Sequence, residues 1–225
     1  MPISYPFKTI FVHIPKCAGT SIEKYLGMGS TAQLFSYKPI KLTDIKYDNN
    51  LFSSDELIDF ENRTPQHLTI TQLKKIIPND IINSFFKFSV IRHPYQRMIS
   101  EYAYIHETPT EKTAAFRNKS FDVFVDEVLA LSNEEQITLF DGHLEPQVDY
   151  IFIDDKLAVD AVYKLEEFEP CITKLKELTK SNRDLPHSRA TTFVTNIDKS
   201  KDLKRITKRF KIFLIIIKYF LLSLI

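Results

Sequence analysis

Lys16-Cys17-Ala18-Gly19-Thr20-Ser21 puts a cation, a glycine and two hydroxyls directly after the apolar run Ile10–Ile14. Those residue types suit an anion. Backbone N–H groups at a helix start point toward a bound phosphate, and the helix dipole favours negative charge there. Gly19 lets the backbone come close to the ligand. A second such place follows Phe85–Ile91, where Arg92 stands at a strand end and Ser100 lies two turns into the helix that Pro94 opens. A guanidinium can grip phosphate with two hydrogen bonds, and a serine can add a third. Two anion loops in one chain imply a ligand carrying phosphate at two positions.

The first loop is not a standard nucleotide or phosphatase loop. The lysine precedes the glycine, the reverse of Gly-x-x-x-x-Gly-Lys-Ser/Thr. Six residues after Cys17 stands Glu23, where a Cys-x5-Arg loop needs arginine, so Cys17 reads as a small buried thiol and not a nucleophile.

The elements that must position these loops are strands alternating with helices, which predicts an α/β fold of three layers, with a central parallel sheet flanked by helices. Strands are expected over Phe7–Ile14, Phe85–Ile91 and Val159–Leu165, with a weak strand signal at Gln33–Tyr37. Thr20 and Glu23 have capping-box spacing for a helix with the stripe Ile22, Tyr25 and Leu26. Leu68–Ile77 reads as a helix capped by Thr69 or Thr71 and stopped by Pro78-Asn79-Asp80. Met98, Ile99 and Tyr102 share a helix side. Ser120 heads a helix with Phe121, Phe124, Val125, Val128 and Leu129 at core spacing. Asn133–Phe140 closes at Asp141-Gly142, and Ile172, Leu175 and Leu178 mark a last helix. In parallel sheets ligands bind at the carboxyl ends of strands, where both loops fall.

Composition narrows the classes. With 225 residues and 44% hydrophobic content the chain can bury a core. Its 30 basic and 29 acidic residues nearly cancel, so no nucleic-acid partner is expected. Cys17 and Cys171 read as free thiols. No local run of His, Cys, Asp or Glu has ligand spacing, so no metal is expected. Residues 1–205 read as one domain, and 206–225 as an atypical apolar tail behind Lys204, Arg205, Lys208, Arg209 and Lys211. The tail is too short for a span of ~20 residues. It reads as a core helix or as a peripheral membrane contact. No leader is legible in Met1–Pro6, so cytoplasm is the simplest expectation, with the Golgi lumen as the alternative in a eukaryote.

Together, His-Ile-Pro-Lys-Cys-Ala-Gly-Thr-Ser (residues 13–21) and Phe-Ser-Val-Ile-Arg-His-Pro-Tyr-Gln-Arg-Met-Ile-Ser-Glu-Tyr (residues 88–102) resemble the 5′-phosphosulfate loop and the 3′-phosphate motif of sulfotransferases. The flavour is that of the carbohydrate branch, with its chondroitin and heparan 2-O type enzymes. Weaker echoes extend the likeness from about Phe7 to Arg189. The resemblance implies a P-loop-like fold, with 3′-phosphoadenosine 5′-phosphosulfate (PAPS) as donor, a carbohydrate hydroxyl as acceptor and no metal. It places Lys16, Cys17, Ala18, Gly19, Thr20 and Ser21 on the phosphosulfate, and Arg92 and Ser100 on the 3′-phosphate. Lys16 would neutralise the leaving phosphate. His67 would be the base, since its unperturbed pKa of ~6.5 suits that task. His143, Gln147 and Arg189 are candidate contacts to acceptor or donor, and Ser188 and Arg189 would close over the nucleotide. Two departures stand out: Cys17 where Thr or Ser is usual, and His93 where Asn is usual. The rival readings are a nucleotide kinase or NTPase on a related fold, and a non-catalytic nucleotide-binding relic.

Overall fold

The computed structural model describes residues 3–28, 52–53, 63–108 and 110–186. They fall into two compact units. One comprises the described residues within 1–93 and 132–186; the other comprises those within 94–131. The tail, Ser188, Arg189 and the Gln33–Tyr37 signal lie outside the described residues. Among the described residues no helix is long and apolar enough to cross a membrane.

The first unit is built on a four-stranded sheet. Its strands are β1 (Ile3–Ser4), β2 (Thr9–Val12), β3 (Phe86–Ile91) and, later in the chain, β6 (Ala161–Lys164). They lie in the order β1-β2-β3-β6. β1 runs antiparallel to β2, while β2, β3 and β6 are parallel. The fold is α/β with a parallel-rich sheet, as the alternating pattern predicts. All four residues of β2 are buried, the mark of a strand covered on both faces. Phe11 on β2 packs on Phe88 of β3, with ring centroids 5.1 Å apart. The register pairs Val12 with Ser89 and Ile91 with Lys164. The Ser89 hydroxyl also donates to the Val12 carbonyl, 2.7 Å away.

Helices of this unit are α1 (Gly19–Tyr25), α2 (Ile70–Ile76), α3 (Asn79–Ser84), then α6 (Asn133–Phe140), α7 (Gln147–Ile151) and α8 (Glu169–Thr179). Ile22, Tyr25 and Leu26 are buried as their stripe predicts. Thr69 caps α2 in a full capping box with Gln72, and Ser132 does the same for α6 with Glu135. Asp141 ends α6 in the left-handed conformation, followed by Gly142 at φ 74°.

Pro78-Asn79-Asp80 ends α2 as expected, with Ile77 as its C-cap, and the same residues start α3, with Pro78 at the N-cap. One local expectation fails. Thr20 and Glu23 form no capping box: α1 starts at Gly19 behind left-handed Ala18, without any side-chain cap. Glu23 is instead buried and bonded to His13. The hairpin of β4 (Phe152–Ile153) and β5 (Lys156–Leu157) and the short α7 carry no clear sequence signal.

The second unit holds α4 (Pro94–Glu107) and α5 (Phe121–Ala130). Tyr102 meets Phe121 and Phe124, each with centroids 5.4 Å away, and Tyr95 meets Phe121 edge-on. Phe121, Phe124, Val125 and Val128 are buried as their spacing predicts.

Phe88 joins β2 to β3 in the middle of the sheet. Phe88→Ala should therefore destabilise the first unit by about 3–5 kcal/mol, read from the urea midpoint. A loss below ~1 kcal/mol would contradict this core.

Candidate functional site

The site grows from the carboxyl ends of β2 and β3. Because these strands are parallel and in register, the loops that follow them emerge side by side. Lys16 and Ala18 both have positive φ, 68° and 63°. Left-handed backbone at non-glycine residues is strained and persists where the surroundings demand it. Here it turns the chain sharply enough for Ser21 N–H and Ile22 N–H both to reach the Ala18 carbonyl.

The Arg92 guanidinium donates from Nη1 to the Lys16 carbonyl, 3.2 Å away. The two loops therefore touch. Gln147 fixes the same junction. Its amide oxygen accepts from Arg92 N–H at 2.9 Å, and its NH₂ donates to the Arg92 carbonyl at 2.8 Å. The Cys17 thiol lies 3.6 Å from that amide oxygen. Gln147 thus serves the loop backbone, a role its sequence position did not reveal. Burial presses the Arg92 pKa down, opposed by Cys17 and Glu166, yet a guanidinium stays charged in protein. Cys17 and Cys171 are both buried free thiols, and burial raises Cys171 to about 12. Lys16, Thr20 and Ser21 are half-buried. Ser100 is half-buried on α4, in the second unit, so the site described here is built from the first unit alone.

His13 links the phosphate-type loop to His67. Its Nδ1 bonds Glu23 Oε1 at 2.8 Å, with both side chains buried. Its other edge lies against Gly19 so closely that a Cβ there would overlap the imidazole. Gly19 is thus required by His13, whereas the turn itself is made by left-handed Lys16 and Ala18. The His13 ring also meets His67 edge-on, with centroids 5.1 Å apart.

His67 sits in the 3-10 turn Pro65–His67 and is 4% exposed. Its Nδ1 is 2.8 Å from Asp141 Oδ2. Thr64 holds that carboxylate in place, through its N–H to Oδ1 and its hydroxyl to Oδ2. The Gln66 side-chain nitrogen lies 3.2 Å from His67 Nε2. One tautomer satisfies both contacts: Nδ1–H donates to Asp141, and Nε2 accepts from Gln66. Burial lowers the His67 pKa to about 4, against the pull of Asp141 and with the help of His143 and His13. Burial alone would raise Asp141; His67, His143 and the Thr64 N–H hold it down at about 2. At neutral pH the pair is therefore a carboxylate and a neutral imidazole whose Nε2 lone pair faces the Gln66 amide.

His143, half-buried, packs edge-on against His67 at 4.9 Å. Beneath it, Arg63 forms a buried two-pronged ion pair with Glu145, both contacts 2.6 Å, and donates to the Tyr150 hydroxyl. Tyr150 in turn donates to the Gly142 carbonyl. This network pins the Asp141–His143 turn. Arg63, Asp141 and the His13–Glu23 pair were not legible as site residues. Asp141 read only as a helix stop.

The sequence pattern of the sulfotransferase family matches residues 3–215. The chain belongs to the sulfotransferase family, and its reaction class is sulfuryl transfer. This family assignment does not favour the kinase or NTPase reading. Neither the curated proteins nor the solved structures contain a match.

The lowered His67 pKa has a stability consequence. From pH ~6.5 down to about 4 the unfolded chain takes up a proton at this residue and the folded chain does not. Stability at His67 is thus fully present above ~6.5 and is lost as pH falls through that window, by ~1.4 kcal/mol per pH unit. His67→Asn should flatten the slope of unfolding free energy against pH by about one proton, measured in EDTA. An unchanged slope would contradict a neutral, buried His67.

Proposed function

We propose that the chain transfers the sulfuryl group of PAPS to a hydroxyl of a carbohydrate. The observation that carries this reading is the junction of the two loops at one sheet edge, with Arg92 seated on the Lys16 carbonyl. A donor with a 5′-phosphosulfate and a 3′-phosphate needs cationic groups at two places joined by one nucleoside. Lys16, the loop backbone and the hydroxyls of Thr20 and Ser21 fit the first, and Arg92 the second. Ser100, in the second unit, is left out of this reading.

Sulfuryl transfer is an in-line displacement, so positioning and charge stabilisation do most of the work. The acceptor oxygen forms a bond to sulfur while the bond from sulfur to the bridging phosphate oxygen breaks. Lys16 offsets the charge that develops on that leaving oxygen. The acceptor proton passes to His67 Nε2, which Asp141 orients through Nδ1. The Gln66 amide now occupies the position from which an acceptor hydroxyl would donate to Nε2. The choice of a carbohydrate rests on the motif resemblance.

The test is incubation of the full chain with labelled PAPS and a panel of glycans. Label should appear on at least one glycan; binding of adenosine 3′,5′-bisphosphate without transfer to any would favour the relic. By calorimetry, Arg92→Ala should weaken that nucleotide by ~2 kcal/mol, about 30-fold. Unchanged affinity would remove Arg92 from the donor site. His67→Ala should lower kcat by ~10²–10⁴-fold with donor affinity kept, and near-normal turnover would place the base elsewhere.

A further inference from the structure

The first unit gathers three imidazoles in a row, with the middle one, His67, in edge contact with both His13 and His143. Asp141 adds a carboxylate on His67. One donor atom each from His67, Asp141 and His143 lie within 4.8 Å of one another. We propose that these three side chains bind a divalent transition-metal ion, and that the bound ion switches off His67. The expectation of no metal came from spacing along the chain. His67 lies far in sequence from Asp141 and His143, so spacing could not reveal the cluster.

Two imidazoles and one carboxylate are the donor set that suits zinc, cobalt, nickel or ferrous iron; magnesium and calcium prefer all-oxygen sites. The geometry is close to that of a metal site. His67 Nδ1 and Asp141 Oδ2 stand 2.8 Å apart around a shared proton. Two ligands at ~2.0–2.1 Å from one ion stand about 3.0–3.4 Å apart, so exchanging the proton for the ion needs a small expansion. Rotation of side chains about their torsions closes the wider separations in the triangle. Thr64 Oγ1, 2.9 Å from Asp141 Oδ2 and 3.1 Å from His67 Nδ1, offers one more oxygen at the same point. Asp141 is 28% exposed at its side chain, against 5% for His67, so an ion can enter from the Asp141 side.

The switch follows from the tautomer. An ion on Nδ1 takes the position of the N–H that Asp141 now holds. The neutral ring then carries its proton on Nε2. No proton is gained or lost, but the lone pair that would accept the hydroxyl proton is gone. This half rests on the proposed role of His67 as base; the binding half does not.

The experiment uses the full chain, stripped with EDTA and then titrated with Zn²⁺ by calorimetry and with Co²⁺ by visible absorption. One ion should bind per chain, with the d–d bands of a low-coordinate nitrogen and oxygen site. Binding should weaken at least ~10-fold in His143→Gln and persist in His106→Gln, a change on α4. Circular dichroism confirms that each variant is folded. Absence of binding by the folded wild type, or equal binding by His143→Gln, overturns the site. Zn²⁺ should also abolish sulfuryl transfer. Binding without inhibition overturns the switch and counts against His67 as base while leaving the metal site standing.

Discussion

Parallel pairing of β2 with β3 is the constraint on which the rest depends. Side-by-side strands running the same way lie ~4.8 Å apart, and their carboxyl ends open on one edge. With Val12 opposite Ser89, β3 runs on through Val90 and Ile91, and the loops that carry Lys16 and Arg92 leave from the same end of the sheet. A slip of one residue would turn every β2 side chain to the other face and separate the loops. The buried Phe11–Phe88 contact and the Ser89 hydroxyl on the Val12 carbonyl both oppose such a slip. Gln147 then pairs its amide with both the N–H and the carbonyl of Arg92, and the Arg92 guanidinium reaches the Lys16 carbonyl.

The same strand also sets the distance from the anion loop to the base. His13 follows β2 directly. Its imidazole, tied to Glu23, fills the space between Gly19 and His67. Any shift of the loop that moves Gly19 must move His13 and so press on His67. The Arg63–Glu145–Tyr150 network fixes the far side through the turn that bears Asp141 and His143. Donor loop and base are thus braced from two directions by buried, hydrogen-bonded groups.

What the sequence made legible was local. The buried strands around Phe11 and Phe88 showed as apolar runs, and α6 was readable from Asn133 to its Asp141-Gly142 stop because caps act within a few residues. Both loops were readable for the same reason. Contacts between distant segments were not. Thr20 and Glu23 have the spacing of a capping box, but His13 claims Glu23, and nothing near Glu23 in the chain announces that competitor. Asp141 could be read as a helix stop and not as the partner of His67, since the 3-10 turn at Pro65–His67 and the end of α6 meet only in the fold. Nothing near Gln147 in the chain announces that its amide pairs with the backbone of Arg92.

The central claim is that both loops close on one nucleotide. Hydrogen–deuterium exchange of the full chain, with and without adenosine 3′,5′-bisphosphate, tests it most directly. The account predicts that backbone amides of residues 16–21 and of residues 91–93 become protected together and at the same nucleotide concentration. Protection of one loop with no change in the other would contradict it.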